Sequence, residues 1–430
     1  MEQKLAARTL SYRWLLFAIL ALAYCLVYFH RFSTSVVGDD LMRDFQTSGS
    51  ILGLLASIYF YCYAAMQFPA GLLSDSIGPR KTVTFSLLIG AAGSFLFGLA
   101  PNATTAMVAR AMVGLGVSMV FIPTLKTISQ WFRAREFAVM SGLLNAAGGL
   151  GILGATWFLG WLATWFGWRL SFHLIGTCTA VVVVAAWLIV RDRPTDKGWP
   201  SIAQIEGLPT DGLAAQAKIG LWQGVCKVVS HGAFWPVAVW FFFDCGIFFA
   251  FGGLWSGPYL MHVYGMTRTQ TGAVLSMIAW AMMLGSPLLG LLSQKVLRGR
   301  RKTLMLCSAA LVLLILLLNM RPTGLSPVVL AVWFFLFSVC SSAIVAIGFT
   351  TTKELFPVEM AGTCVGMVNF FPFFGGAVFM PLLGRVLDAY GKNDAGAYPL
   401  TAYKQVLLIL LAASVVSLAS TFLMKETYRR

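Results

Sequence analysis

Charged residues are scarce in this sequence, and the usual catalytic signatures are missing. Asp, Glu, Lys and Arg make up 11% of the 430 residues, whereas soluble domains usually carry about 25%. The eight cysteines form no CxxC pair, and no Cys/His spacing suggests a zinc site. No nucleophile–base set and no ATP-binding loop is present. We therefore expect neither a soluble domain nor an enzyme, and no cofactor or metal.

Long apolar stretches dominate instead, since hydrophobic residues make up 58% of the chain. A helix that crosses a bilayer needs roughly 20 mainly apolar residues, and twelve such stretches follow one another between short polar segments. The sequence therefore predicts an all-α polytopic membrane protein whose solvent is the lipid bilayer. The predicted spans are residues 13–37, 49–73, 82–100, 104–128, 138–163, 170–190, 234–261, 270–294, 303–320, 327–350, 361–387 and 403–424.

The formal net charge of +15 is concentrated in the loops on one side of these spans. That side holds Arg80, Lys81, Arg133, Arg300 and Arg301 among other basic residues. Cytoplasmic loops of polytopic proteins carry an excess of Lys and Arg. We therefore expect both termini in the cytoplasm and the protein in the cell inner (plasma) membrane. Because the basic residues alternate with apolar stretches, nucleic acid is not an expected partner.

The chain contains an internal repeat. Gly71-Leu-Leu-Ser follows the second predicted span, and Gly290-Leu-Leu-Ser follows the eighth. Asn145 and Asn369 lie in matching contexts in the fifth and eleventh spans, and they are separated along the chain by nearly the same offset. Such repeats build many secondary transporters, so we predict two pseudo-symmetric six-helix bundles. The predicted units are an N-terminal bundle at 1–190, a cytoplasmic linker at 191–233 and a C-terminal bundle at 234–430.

Two segments carry a family resemblance. The segment from Gly71 to Lys81 follows the pattern G-x-x-x-D-x-x-G-x-[RK]-[RK], and Arg110-Ala-Met-Val-Gly-Leu-Gly follows R-x-x-x-G-x-G. With these motifs the chain resembles the major facilitator superfamily over essentially its whole length. The resemblance implies that this loop ties neighbouring helices together in one state of an alternating-access cycle. We assign a gating role to Gly71, Asp75, Gly78, Arg80 and Lys81 of the loop and to Arg110; for the loop residues the alternative is that they only determine topology.

Within that superfamily, the segment from Pro123 to Glu136 looks like the P…[KR]-x4-W-F…E pattern of organic phosphate antiporters and anion:cation symporters. Parts of it are also similar to phagosomal nutrient transporters. Two departures stand out. Phosphate antiporters use a second arginine in span seven, and residues 234–261 contain none. Gln294 replaces Asp75 in the second copy of the loop, which predicts an asymmetric gate.

Few ionisable residues lie inside the predicted spans, and most of them are cations. Arg31, Arg110, Lys126 and Asp244 are the candidates, and intramembrane charges are usually functional. Three cations against one acid favour an anionic or zwitterionic substrate.

Arg31 shares a helix face with Tyr24 and Tyr28, at i, i+4 and i+7. We predict that these three side chains bind substrate, since a guanidinium can donate two parallel hydrogen bonds to a carboxylate. The alternative is an arginine that reaches the interface from the outer end of its span.

Lys126 follows Arg110 by about four and a half helical turns, which places the two side chains on nearly opposite faces of an ideal helix. Unless Pro123 kinks the helix, both cannot address one cavity. We assign Lys126 to substrate binding or entry and Arg110 to packing and gating. For Lys126 the alternative is an interfacial lysine.

Asp244 is the acid deepest inside a predicted span and is our candidate for proton coupling. The alternative is an acid paired permanently with a cation or a helix terminus. Asn145 and Asn369 could bind substrate from opposite bundles, or could join helices by hydrogen bonds.

These features predict a secondary active transporter that imports a small organic anion or zwitterion by alternating access with proton symport. The expected partners are a small-molecule substrate, a proton as the coupling ion and the bilayer, and the expected assembly is a monomer. An efflux transporter for lipophilic compounds and a substrate sensor without net flux are the alternatives. The aromatic content permits efflux, but three intramembrane cations disfavour cationic drugs.

Overall fold

A computed structural model describes residues 2–206, 221–357 and 360–428. Almost all of this described chain is helical, and it contains no β-strand. Helices are the expected solution, because inside a bilayer every backbone N–H and C=O must find its partner within the protein.

The helices account for twelve crossings. Among the described residues, ten helices are long and apolar enough to cross a membrane, and an eleventh crossing is a pair of helices bent by 51°. The helix Val139–Ile189 contains two crossings, since Gly167 interrupts it with φ of +74°. In order, the spans are Lys4–Phe32, Gly49–Ala65 with Gln67–Ser76, Pro79–Leu99, Ala103–Trp131, Val139–Ile189 divided at Gly167 (spans 5 and 6), Phe234–Tyr264, Arg268–Val296, Arg300–Met320, Pro327–Glu354, Thr363–Tyr390 and Leu400–Leu423.

With an even number of spans, the chain begins and ends at the same end of the molecule. We call this the terminal end, and the other the opposite end. The first six spans form the N-terminal bundle and the last six the C-terminal bundle, which confirms the predicted fold. The exact unit boundaries stay a prediction, because residues 207–220 of the predicted linker lie outside the described chain. Before that gap, Glu206 forms an ion pair of 3.2 Å with Arg133 of the N-terminal bundle.

Each bundle contains an arginine that joins two of its own helices, and the two arginines occupy equivalent positions. Arg80, at the start of span 3, donates from Nε and Nη2 to the carbonyl oxygen of Trp187 near the end of span 6, at 3.0 and 2.7 Å. Arg301, at the start of span 9, donates from Nε to Thr421 O at 3.1 Å and from Nη2 to Phe422 O at 2.7 Å, near the end of span 12. Both arginines thus bind carbonyl oxygens in the last turns of a helix, where intrahelical donors run out.

Equivalent glycines bring helices together in both bundles. A Cβ at Gly151 of span 5 would overlap the carbonyl oxygen of Cys25 in span 1. A Cβ at Gly375 of span 11 would overlap the carbonyl oxygen of Phe242 in span 7. The two glycines are separated along the chain by the same offset as Asn145 and Asn369. Small residues allow such close approach of transmembrane helices, so the repeat in the sequence is also a repeat of packing.

Candidate functional site

A cavity of about 410 Å³ lies between the two bundles. Its lining residues come from spans 1, 2, 4 and 5 of the N-terminal bundle and from spans 7, 8, 10 and 11 of the C-terminal bundle. These are equivalent positions in the two copies. The cavity is within the usual size range of small-molecule sites, and its lining contains no Asp or Glu among the described residues.

Arg31 lies on this cavity inside a cage of aromatic rings. Its guanidinium carbon is 4.4 Å from the ring centre of Tyr28, 4.8 Å from that of Tyr63, 5.5 Å from that of Phe249 and 4.8 Å from that of Phe373. Two of the rings belong to each bundle. Arg31 is 3% exposed, so cation–π attraction to the rings partly replaces its hydration.

Arg31 lies away from the ends of its surrounding helices. The helix Thr34–Asp44 extends span 1 beyond Arg31 toward the opposite end. The neighbouring Tyr63 lies near the middle of span 2, far from Gly49, the first residue of that span. In the described chain Arg31 has no ion-pair partner, and its Nε has no hydrogen-bond acceptor. A buried guanidinium without an anion is suited to receive one.

The two repeat-related asparagines meet at the same cavity. Asn145 and Asn369 both line it, together with Tyr24. Asn369 Nδ2 also donates to Gln67 Oε1 at 2.6 Å, a hydrogen bond that joins the two bundles. The structure therefore brings together five of the six predicted substrate residues: Tyr24, Tyr28, Arg31, Asn145 and Asn369.

Lys126 is the sixth and lies outside the cavity lining. Its Nζ is 2.7 Å from Asp75 Oδ1 and donates to Ser74 O at 2.8 Å. Span 4 is broken between the helices Ala103–Ser118 and Phe121–Trp131, at the position where Pro123 would clash with the carbonyl of the fourth residue before it. The break leaves Lys126 directed at the loop signature in this conformation, and its role in substrate entry stays a prediction.

Arg110 also lies away from the cavity. It is 1% exposed, donates from Nη1 to His30 O at 2.9 Å and lies 4.8 Å from the ring centre of Tyr59. Arg110 thus fastens span 4 to spans 1 and 2 inside the N-terminal bundle. This position fits the predicted packing role.

Asp244 is fully buried and faces span 12 instead of the cavity. Ser417 Oγ lies 3.5 Å from Asp244 Oδ1, and Oδ2 has no hydrogen-bond partner in the described chain. The next residue, Cys245, does line the cavity, because successive residues of a helix point about 100° apart. Proton coupling through Asp244 stays a prediction.

The loop signature holds parts of the N-terminal bundle together. Gly78 adopts φ of +88°, which favours glycine, and Arg80 then reaches span 6. Asp75 links span 2 to Lys126 of span 4. Gly71 has open space around its Cα, and Lys81 is exposed. Their predicted gating role stays a prediction.

A charged residue of the cavity, Lys353, was not identified from the sequence. Lys353 lines the cavity and is exposed. The predicted span 10 stops at residue 350, which leaves Lys353 in a loop, but the helix continues to Glu354. Residues 350–352 are threonines, so the apolar signal ends before Lys353 although the helix does not.

Comparison with known proteins agrees with this architecture. A family model described as Major Facilitator Superfamily matches residues 20–380 and also residues 242–429. The chain belongs to the Major Facilitator Superfamily. It is therefore a multi-pass membrane transporter and not an enzyme, as the sequence predicts.

Several curated relatives of this superfamily member carry names that specify sugar acids. Probable galactarate/D-glucarate transporter GarP of Escherichia coli (strain K12) is 25% identical over 89% of this chain and 90% of its own length. Probable galactarate/D-glucarate transporter GudP of Bacillus subtilis (strain 168) is 25% identical over 94% and 93%. Hexuronate transporter of Escherichia coli (strain K12) is 24% identical over 63% and 62%.

Solved structures of two transporters share the fold of this superfamily member. A bacterial homolog of the human lysosomal transporter Spinster, in an inward-facing and unoccupied conformation, has a TM-score of 0.74 with 17% identity over 96% of each chain. The nucleoside transporter NupG, solved as a point mutant, has a TM-score of 0.72 with 12% identity over 94% of this chain and 99% of its own.

At the opposite end of the molecule, away from the termini, polar contacts join the two bundles. Asp388 of span 11 accepts hydrogen bonds from the backbone N–H groups of Gly49 at 2.7 Å and Ser50 at 2.8 Å, the first residues of span 2. Tyr398 donates to the same carboxylate at 2.6 Å. The N-terminus of a helix attracts negative charge, so Asp388 binds the start of span 2 to the C-terminal bundle.

Two further pairs cross at this end. Asp40 lies 2.5 Å from Arg268 Nη2, and Asp39 lies 3.0 Å from His262 Nε2. Close backbone packing accompanies them, since a Cβ at Gly384 of span 11 would overlap the carbonyl oxygen of Gly49. The opposite end is therefore closed.

At the terminal end, the described ion pairs stay within one bundle and its adjoining segments. Arg13 Nη1 lies 2.8 Å from Glu136 Oε2. Burial raises the pKa of Glu136, but hydrogen bonds from the Arg133 backbone N–H and the Arg13 guanidinium outweigh it and hold this pKa below the ordinary value. In the C-terminal bundle, Arg300 pairs with Glu354 at 3.4 Å.

Proposed function

We propose that the protein imports a small organic anion of the sugar-acid type by alternating access, with proton symport. The observation that carries this proposal is Arg31, a buried guanidinium that faces a cavity without acidic side chains and has no ion-pair partner among the described residues. The names of the relatives GarP and GudP and of the hexuronate transporter specify carboxylated sugars, which agrees with this charge.

The cavity offers matched partners for such a substrate. A guanidinium can bind a carboxylate through two parallel hydrogen bonds, and its aromatic cage fixes its orientation. Asn145 and Asn369 present amide donors and acceptors from both bundles, which suits hydroxyl groups. Binding that involves both bundles gives the substrate different contacts in the two alternating states, as a transport cycle requires.

Orientation follows from the charge distribution. The basic loops are at the terminal end, so the positive-inside rule assigns this end to the cytoplasm and the opposite end to the outside of the inner membrane. The crossing contacts then close the outer side in this conformation, and a substrate bound at Arg31 leaves toward the cytoplasm. Their release would open the outer side.

For proton coupling we keep Asp244. It is fully buried, none of the described ion pairs involves it, and it lies beside the cavity residue Cys245. An unpaired intramembrane acid is a proton-relay candidate. Protonation of Asp244 would change the packing of span 7 against span 12, and span 7 also carries two rings of the cavity, Phe248 and Phe249.

Uptake by the purified full-length protein in liposomes tests the substrate assignment. Labelled D-glucarate, D-gluconate and D-galacturonate are the substrates, with an inward proton gradient. We expect Arg31→Ala to reduce uptake of the best substrate at least 100-fold, and Arg31→Lys to reduce it nearly as strongly, because an ammonium lacks the planar fork. Unchanged uptake by Arg31→Ala, or transport of lipophilic cations in place of acids, would reject the proposal.

The coupling assignment has a separate readout. Asp244→Asn should lose accumulation driven by the proton gradient while retaining exchange of labelled for unlabelled substrate, since exchange needs no net proton movement. Wild-type protein in the same liposomes, with the gradient collapsed by an ionophore, is the control. Gradient-driven accumulation that persists in Asp244→Asn contradicts the assignment and leaves the substrate proposal intact.

A further inference from the structure

The cavity contains a second cation that the proposed function does not use. Arg31 comes from span 1 of the N-terminal bundle, whereas Lys353 comes from span 10 of the C-terminal bundle. The described lining contains no acid to compensate either charge. A ligand with a single carboxylate satisfies one cation and leaves the other without a partner.

Lys353 differs from Lys126 in its pairing. Lys126 is neutralised by Asp75 at 2.7 Å. None of the described ion pairs involves Lys353, although an acid is adjacent to it in sequence. That acid, Glu354, is directed away, since it pairs with Arg300 at 3.4 Å and accepts a hydrogen bond from Thr427 at 2.6 Å. Within the described parts of the chain, the ammonium of Lys353 is therefore available to a ligand.

Arg31 and Lys353 line one cavity that is extended along span 10. This span contributes lining residues from Ser341 to Lys353, a stretch that covers roughly 18 Å of helix axis. An extended six-carbon chain is about 6 Å long between its terminal carbons, at roughly 1.2 Å per bond. The cavity therefore has room for an extended acid whose two ends meet different groups.

The aromatic cage limits how many carboxylates Arg31 can bind. Four ring centres lie within 5.5 Å of its guanidinium carbon, which restricts the room for carboxylates around Arg31. A flexible lysine on the other bundle can meet a second carboxylate as a point charge.

We propose that Lys353 binds the second carboxylate of a dicarboxylic sugar acid and so selects diacids over monoacids of equal length. This inference rests on the proposed function, because it takes Arg31 as the partner of the first carboxylate. A diacid also connects the two bundles through opposite ends of one molecule. Lys353 is then the specificity-determining residue of the C-terminal bundle.

D-glucarate and D-gluconate form the matched probe pair, since they differ only in whether carbon 6 is a carboxylate or an alcohol. Half-saturating concentrations for exchange are measured in liposomes with the full-length protein. We expect the wild type to prefer glucarate at least tenfold. Lys353→Gln should lose that preference by weakening glucarate at least tenfold, with gluconate changed less than twofold, and Lys353→Arg should retain it.

The control is Lys425→Gln, which removes an exposed positive charge at the same end outside the cavity and should leave both values unchanged. Binding measured by ligand-induced thermal stabilisation in detergent gives a second readout for any variant with low transport. Equal weakening of both acids by Lys353→Gln, or a wild type without diacid preference, would overturn this inference. If neither acid is transported, or if transport of both acids is unaffected by Arg31→Ala, the proposed function itself fails.

Discussion

The two ends of the molecule use charged residues in different ways. At the opposite end, Asp40 and Asp388 each bind a group of the other bundle. At the terminal end, Arg13–Glu136 and Lys126–Asp75 each lie within the N-terminal bundle. Contacts that cross between bundles must break when the closed end opens, whereas contacts within a bundle can persist through the cycle.

This difference separates two functions of an ion pair. Pairs within a bundle make it a rigid body, and pairs between bundles set the relative free energies of the alternating states. The sequence motif with the strongest family resemblance, Gly71–Lys81, contributes Asp75 and Arg80 to contacts of the first kind in this conformation. The crossing contacts carry no such motif. Substitutions at both kinds of contact test the distinction.

Gly384→Ala should have the largest effect. Its methyl group would overlap the carbonyl oxygen of Gly49 and wedge the closed end apart, with an expected penalty of at least about 3 kcal/mol for that state. The molecules should then populate a form open at the opposite end. The distance between spin labels at Thr104 and Thr323, exposed residues of the two bundles at that end, should increase in pulsed EPR.

For these measurements the exposed Cys178 and Cys226 are first replaced by serine. Gly290→Ala is the matched control, because nothing lies within 4 Å of a Cβ at that helical position. An unchanged label distance in Gly384→Ala would show that the Gly49 contact does not hold this end closed.

Asp388→Ala should have the next largest effect. It removes the acceptor of two backbone N–H groups at the start of span 2, but the Gly49 N–H keeps the Tyr398 hydroxyl as an acceptor at 2.8 Å. The expected loss is therefore that of about one hydrogen bond to a charged group, about 1.5–3 kcal/mol. We expect the open population, read from the same labels, to rise at least tenfold. Asp394→Ala removes an exposed acid from the neighbouring loop and should leave the population as it is. Equal shifts in the two variants would attribute the effect to net charge alone.

Arg268→Gln and Arg169→Gln compare a crossing pair with a pair inside one bundle at the same end. Arg268 binds Asp40 across the interface, whereas Arg169 binds Asp44 of its own bundle at 2.6 Å. Loss of the crossing pair should shift the two-state equilibrium by about 1 kcal/mol, since Arg43 still contacts Asp40. Arg169→Gln should shift it by much less. The same shift in both would remove the distinction between the two kinds of pair.

Glu136→Gln should have the smallest effect and should act on stability alone. The pair with Arg13 contributes about 1 kcal/mol or less, and label distances at the opposite end should not change. Since the folded protein holds the pKa of Glu136 below its usual value, this stabilisation is complete above the unfolded-state pKa. It disappears as the pH falls through the folded-state pKa. Thermal unfolding of wild type and variant should therefore converge at acidic pH, and a constant difference across pH would contradict the assignment.

Much of the architecture could be predicted because the bilayer permits few solutions. Apolar stretches of sufficient length must be helices, so twelve spans and two bundles follow from the sequence. Periodicity also placed Tyr24, Tyr28 and Arg31 on the cavity, and the repeat identified Asn145 and Asn369 as one residue from each bundle at the site. These inferences use spacing within one helix or between two copies, which the chain itself records.

Positions that depend on how helices are turned against one another could not be predicted. Asp244 and Cys245 are adjacent, yet only the cysteine lines the cavity, and nothing in the spacing says which face of span 7 meets the other bundle. Lys126, which the sequence assigns to substrate binding or entry, is paired in this conformation with Asp75 from another span. Lys353, Asp388 and Gly384 gained their importance from contacts with distant parts of the chain. Helix lengths and polar faces are local properties of the sequence, whereas rotation, depth and crossing contacts arise only when all twelve helices pack together.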